Sequence, residues 1–260
     1  MAFVVLSFLA YSICLKLGEY MLVCLMHWRL DAKEKARYAS LDCWCRSAIP
    51  FCDTLIIWRG NSLPNGFGRC AVCPTTSLIN HSCSPNGFLN WDDKRRHMTV
   101  HVMRPIKKGD EITVSRPFTI ASRYVNVNLK AEDRQLELRH KHRFTCTCPA
   151  CSATKEALQA SDKRRERIGL LTDGAARRIL SLRTDISMKE IEELLTLLDE
   201  EYGDPSYKGD VCMEAHAVKL KEGGDKVAAR TWAAKGYKLM LLTKGASSRE
   251  VQLAKHASSQ

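Results

Sequence analysis

Apolar and polar positions follow three different patterns along this chain. Residues 2–15 (AFVVLSFLAYSICL) form one unbroken apolar run. As a helix rising about 1.5 Å per residue it would reach about 21 Å, short of a hydrocarbon core of roughly 30 Å. Extending it to Trp28 brings in Lys16 and Glu19, three apart on one helix face, where they can pair. The run predicts a helix buried against the core. Membrane contact or targeting by residues 2–28 is the competing reading, although no basic residue precedes the run and no A-x-A-like site follows it. Residues 31–41 (DAKEKARYASL) predict a helix with Asp31 at its N-cap and Ala36, Tyr38 and Leu41 facing inward.

The middle of the chain changes period. Residues 59–70 (RGNSLPNGFGRC) are turn-rich, with Gly60, Pro64 and Asn65-Gly66 breaking any regular element. Met98 to Val102 (MTVHV) alternates and is β-branched, and Glu111 to Val114 (EITV) follows a Lys108-Gly109-Asp110 turn. Both predict short strands. After Cys151 the pattern becomes helical, with Pro205 the one proline from residue 155 onward. Ile191, Leu194, Leu195, Leu197 and Leu198 recur at helical spacing, as do Ala228, Trp232, Ala233, Tyr237 and Leu241. Breaks at Tyr202-Gly203-Asp204-Pro205 and Gly223-Gly224-Asp225 predict antiparallel helix pairs. The segment from Gly224 to Ala233 resembles a tetratricopeptide-type hairpin, without a clean second repeat.

Composition adds two constraints. With 260 residues, 45% hydrophobic and 27% charged, the chain can bury a real core and is neither a disordered tail nor a multispanning membrane protein. The net charge of +11 is uneven: residues 1–154 hold 21 basic and 12 acidic side chains, and residues 155–260 hold 19 and 17. The first part suits an anionic partner or an acidic surface around a substrate. The alternative is a solvated basic surface, since only Lys94-Arg95-Arg96 is clustered, and three residues do not make a nucleic-acid site.

Twelve cysteines are too dilute for a small disulfide scaffold. Free core thiols or metal ligands remain. Cys146-Thr147-Cys148-Pro149-Ala150-Cys151 puts three thiols into six residues, a spacing that can wrap three of the four soft ligands zinc wants. Cys70 and Cys73 also have metal spacing, but with Cys43, Cys45 and Cys52 they fit no zinc module and read as core thiols. Asn80-His81-Ser82-Cys83-Ser84-Pro85-Asn86 is a polar turn-former that offers one thiol and several hydrogen-bonding groups.

Three of these pieces occur in a telling order: Asn80 to Asn86, then Gly109 to Ser115 (GDEITVS), then Phe144 to Cys151 (FTCTCPAC). That order resembles the SET-domain protein lysine methyltransferases, closest to the subfamily that carries MYND fingers and to fungal relatives with helical C-terminal extensions. The resemblance covers roughly residues 60–152 well and the helical tail loosely. No MYND finger is recognisable. The resemblance implies that Cys83 is the fourth zinc ligand with Cys146, Cys148 and Cys151 in a post-SET loop. It implies that Asn80 and His81 contact S-adenosylmethionine and that Phe144 stacks on its adenine. It also implies a tyrosine hydroxyl that orients a lysine amine for in-line methyl transfer.

Two departures stand against the family pattern. The family places its catalytic tyrosine directly after the serine, but here Ser115 is followed by Arg116. Removing residues 116–123 (RPFTIASR) restores the run, which makes Tyr124 the displaced counterpart. The family also opens with a G-x-G segment, absent before residue 60, and Gly66-Phe67-Gly68 stands too close to the Asn80 motif to be it. The front of the domain therefore reads as truncated or rebuilt.

The expected fold class is α+β. A helical or apolar segment 1–58 precedes a β-rich SET core with a zinc loop at 59–152 and an all-helical, tetratricopeptide-like domain at 153–260. The expected function is protein-lysine N-methyl transfer from S-adenosylmethionine to a histone or another protein, in the nucleus or cytoplasm. The alternative is a catalytically impaired, zinc-stabilised interaction module. A further protein partner is expected on the helical domain, and no direct nucleic-acid contact.

Overall fold

A computed structural model describes residues 23, 25–41, 54, 57, 58, 61–64, 70–115, 126–180, 186–205 and 207–260. The apolar run 2–15, Cys43, Cys45, Cys52, the Gly66-Phe67-Gly68 segment, the 116–123 insert and Tyr124 lie outside the described residues. Among the described residues, no helix is long and apolar enough to cross a membrane. The chain forms two compact units, 1–63 with 70–78, and 64–69 with 79–260.

In the first unit, helix α1 (Ala32–Ala39) starts where the sequence predicts. The Asp31 side chain accepts from the Glu34 backbone N–H, and the Glu34 side chain accepts from that of Asp31. This reciprocal cap satisfies two amide groups that a helix start otherwise leaves unpaired. Tyr38 and Leu41 are buried with Ile57, and Leu30 and Val72 pack on them. Ala36, expected inside, is exposed. A methyl group on a charged helix adds little to that contact, so the larger Tyr38 and Leu41 set which face turns inward. Strands β1 (Ser62–Pro64) and β2 (Cys70–Val72) form a two-stranded sheet, and a single turn, α2 (Pro74–Ser77), follows with Pro at its start.

The second unit is built on a four-stranded sheet of β3 (Asn80–His81), β4 (Gly87–Asp92), β5 (His97–Val102) and β6 (Thr113–Val114), in the order β3-β6-β4-β5. β3 and β4 both run parallel to β6, and β4 and β5 form an antiparallel hairpin. The expected EITV strand is trimmed to Thr113–Val114, because Glu111 gives its carbonyl to the Asn86 side chain instead of to a ladder. In the hairpin, directly opposed residues share a face, so Phe88, Asn90, Asp92, His97, Thr99 and His101 lie together.

That face rests on the helical part. The helices are α3 (Ala131–His142), α4 (Lys155–Leu180), α5 (Met188–Glu201), α6 (Lys208–Gly223), α7 (Lys226–Lys244) and α8 (Arg249–Ser259). The Asn90 side chain donates to the Lys244 carbonyl at 2.7 Å. The Ser247 hydroxyl donates to the Asp92 carboxylate at 2.6 Å. Phe88 meets Tyr207 edge to face at 6.3 Å.

The helices pair antiparallel, and the predicted breaks at 202–205 and 223–225 separate α5 from α6 and α6 from α7. Arg165 and Arg167 on α4 meet Glu201 and Glu193 on α5, running in opposite directions. On α6 and α7, Gly209 lies against Gly236 while His216 meets the Ala229 carbonyl. Ile168, Leu171, Ile191, Leu194, Leu195, Leu198, Val211, Cys212, Ala215 and Val218 form one buried core. The face of α7 is rotated from the expected one. Ala229, Ala233, Gly236, Met240 and Thr243 are buried, with Ala228, Trp232, Tyr237 and Leu241 flanking them. Small residues let the backbones approach: a Cβ on Gly236 would stand 3.1 Å from the Gly209 carbonyl oxygen and from Met213 Sδ.

Candidate active site and metal centre

The Asn80–Asn86 segment is held against β6 by its backbone and by one asparagine. Asn80 pairs with Thr113 and His81 with Val114, and the Ser82 N–H donates to the Val114 carbonyl at 3.2 Å. Asn86 then brackets the neighbouring strand: its Nδ2 donates to the Glu111 carbonyl at 2.9 Å, and its Oδ1 accepts from the Thr113 N–H at 2.8 Å. Two parallel segments far apart in sequence are thus fixed side by side. The Asn80 side chain donates to the Glu111 carboxylate at 2.6 Å.

The second half of the site arrives from α3. Helix α3 ends at Arg143 in the left-handed conformation, φ 60°, which turns the chain sharply into Phe144 and the cysteine loop. Gln135, one side of the same helix, grips that loop at two points. Its Nε2 donates to the Cys146 carbonyl at 2.6 Å and its Oε1 accepts from the Cys146 N–H at 3.0 Å. Cys151 and Ser152 N–H groups both donate to the Cys148 carbonyl, which closes the turn.

Four thiols converge here. The sulfurs of Cys83, Cys146, Cys148 and Cys151 all lie within 4.8 Å of one another, with Cys151 to Cys83 at 3.6 Å. Zn–S bonds of about 2.3 Å in a tetrahedron place sulfurs about 3.8 Å apart, so the spacing fits one zinc ion. Cys83 and Cys146 are buried with Leu138 beneath them. Cys83 has its pKa pushed far up by hydrogen bonding with Cys146, then Cys148 and Cys151, and by burial. Cys148 is driven far down, chiefly by the hydrogen bond from Cys146. So dense a group of sulfurs cannot become four thiolates without a cation among them. Among the described residues, no other group of His, Cys, Asp or Glu has ligand atoms gathered this way, and Cys73 is half-buried outside the cluster.

His81 and Phe144 sit beside this centre. His81 Nε2 is 3.3 Å from Cys83 Sγ, and the rings of His81 and Phe144 are tilted at 6.3 Å. His142 faces Phe144 from another side at 6.5 Å. Phe144 is 37% exposed, which leaves an aromatic face open next to the β3 backbone. The structure thus brings together His81, Phe144 and all four expected cysteines, with Asn80 one position before His81 on β3. Tyr124 lies outside the described residues.

A family model for the SET domain matches residues 17–115. The chain carries a SET domain. A SET and MYND domain-containing protein of Dictyostelium discoideum is 33% identical over 111 residues, 43% of this chain and 25% of that protein. Human N-lysine methyltransferase SMYD2 is 33% identical over 103 residues, covering 40% of this chain and 20% of its own length. Histone-lysine N-methyltransferase set5 of Schizosaccharomyces pombe is 31% identical over 93 residues, 35% and 27% of the two chains. The chain spans about a quarter of the length of these relatives. The sequence motifs that point to the site are the three that the fold gathers, two of which reach into the matched segment and the third of which follows it. Gln135, Arg134, Arg165 and Glu201 carry no such signal. They read as ordinary polar positions on helices, because their partners are backbone groups or side chains distant in sequence.

Proposed function

We propose that this chain is a protein-lysine N-methyltransferase that uses S-adenosylmethionine, with a histone or another protein as substrate. The observation that carries the reading is the convergence of His81, Cys83, Phe144 and the Cys146–Cys151 loop at one place. The cofactor supplies an electrophilic methyl on a sulfonium. The open face of Phe144 suits an adenine ring, and the β3 segment with Asn80 and His81 offers polar contacts beside it. Cys83, Cys146, Cys148 and Cys151 would hold one structural zinc that ties the two segments together.

The remaining chemistry is positional. A lysine ammonium of pKa about 10.4 costs roughly 4.6 kcal/mol to deprotonate at pH 7. An apolar channel lowers that cost by disfavouring the charged form. The Tyr124 hydroxyl would then orient the neutral amine, and proximity carries the rate. Names of relatives such as SMYD2 and set5 support a protein substrate, and a nuclear or cytoplasmic setting accords with it. The helical region is the surface on which a further protein partner would dock.

One sequence observation favours a second reading. Eight residues separate Ser115 from Tyr124, and an error of about 1 Å in the tyrosine costs roughly 100-fold. The alternative is a SET domain that binds the cofactor without turnover and serves as an interaction module. Radiolabelled methyl transfer to histones and to a whole lysate decides between them. The enzyme reading expects incorporation that Tyr124→Phe abolishes while cofactor binding persists. Cofactor binding with no incorporation in the wild-type chain refutes it.

A further inference from the structure

Two arginines with no part in the chemistry above are wholly buried, Arg134 on α3 and Arg165 on α4, each 0% exposed. A guanidinium in the interior persists only where its charge and its N–H groups meet partners. Arg165 donates through Nε to the Glu201 carboxylate at 2.6 Å, and Glu201 is itself 3% exposed. Its other two nitrogens reach backbone carbonyls: those of Val127 and, at 3.2 Å, Cys83. Arg134 donates to the carbonyl of Leu129 at 2.5 Å and lies 3.5 Å from that of Ala150.

The two side chains therefore share a pattern. Each joins the turn at 127–129 to one end of the metal loop, Cys83 in one case and the residue before Cys151 in the other. Tyr202 reinforces the same turn. Its ring lies 5.0 Å from the Arg165 guanidinium, and its hydroxyl donates to Asn128 Oδ1 at 2.7 Å. Four thiolates on a zinc ion leave a net charge of 2−, and the Arg134 guanidinium faces the Cys83 and Cys151 sulfurs. Its Nε has no hydrogen-bond partner among the described residues, and its Nη1 lies 4.0 Å from the Asp162 carboxylate on α4, so its orientation follows from the two carbonyls, that carboxylate and the sulfurs.

We propose that Arg165, held by Glu201, and Arg134 are positioning residues of the metal centre, clamping Cys83 and the Ala150–Cys151 end onto the 127–129 turn so that the four sulfurs stay at ligating distance. The inference rests on the zinc reading of the thiols and is independent of methyl transfer. It makes the helical region part of the metal site, since α4 and α5 supply Arg165 and Glu201. Lysine cannot replace either arginine, because a single ammonium cannot span a carboxylate and two separate carbonyls.

The test uses the whole 260-residue chain, zinc-loaded, and follows zinc release to a chromogenic chelator. Arg165→Lys, Glu201→Gln and Arg134→Lys should release zinc about 10- to 100-fold faster than wild type. Arg167→Ala, which breaks an exposed pair with Glu193 on the same two helices, should leave the rate unchanged. Leu194→Ala in the helical core should lower the melting temperature without speeding release, which separates positioning from general stability. If Arg165→Lys does not fold, Glu201→Gln retains the guanidinium and the side-chain volume and carries the test. Clamp variants that release zinc at the wild-type rate overturn the inference alone. A wild-type chain that holds no zinc overturns the metal reading and the inference with it.

Discussion

Replacing Cys83 by Ala removes the one proposed zinc ligand that does not come from the Cys146–Cys151 loop. Cys83 and Cys151 are 68 residues apart in sequence, so a zinc shared between them closes a long loop. Cross-linking a loop of that length restricts the unfolded chain by about 4 kcal/mol. The substitution leaves the Cys83 carbonyl in place for Arg165, so the loss comes from the sulfur. With a urea slope of about 2 kcal/mol/M, the midpoint should fall by about 2 M. The assay is equilibrium urea unfolding followed by circular dichroism, with zinc content measured on the same samples. Wild type stripped by chelator should fall to nearly the variant's midpoint, and chelator should not move the variant further. A variant that keeps about one zinc per chain, or that unfolds at the wild-type midpoint, refutes the cross-link reasoning.

Two other perturbations probe the helical region and its contact with the sheet. Gly236→Val drives a side chain into the Gly209 carbonyl, Met213 and Cys212, all within 3.3 Å of a Cβ there, and should cost about 1–3 kcal/mol, read as a lower melting temperature; an unchanged melting temperature would show that α6 and α7 can part freely. Asp92 has its pKa held below the ordinary 3.8 by the hydrogen bond from Ser247 and then by the Arg95 N–H. Its contribution to stability is therefore present above that value and lost as pH falls through the lowered pKa. Asp92→Asn should flatten the fall of stability below about pH 4, and identical acid profiles for the two proteins would refute it.

Much of the cysteine cluster was legible in the residues themselves. Cys146, Cys148 and Cys151 announce a ligand loop by spacing, and the likeness of the Asn80 motif to SET domains supplied Cys83 as the fourth. The helix pairs were legible for a different reason: Ile191, Leu194, Leu195 and Leu198 repeat at helical spacing and are all buried. The rotated face of α7 was not, since hydrophobic periodicity weighs Trp232 and Tyr237 heavily and Gly236 not at all. The spacing of small residues at 229, 233 and 236 was the available signal. Arg134, Arg165 and Glu201 could not be foreseen. Charge on a helix ordinarily marks its solvated face; the two arginines are buried because carbonyls outside their own helices meet them, and the Glu201 side chain because Ser161, Arg164 and Arg165 cover it.

The sheet's dependence on the α7–α8 connection has a consequence for how the chain is made. Asp92 must wait for Ser247, 155 positions later, before its face is covered. At about 5–20 residues per second, that interval is about 8–30 s of synthesis. During it the β4–β5 hairpin has formed the partners it can find locally, with Asn90 and Asp92 still facing water. The helical hairpins, whose contacts are near neighbours in sequence, need no such delay. Assembly therefore runs backward relative to the order of synthesis: helices that emerge later are the surface on which the earlier strands settle.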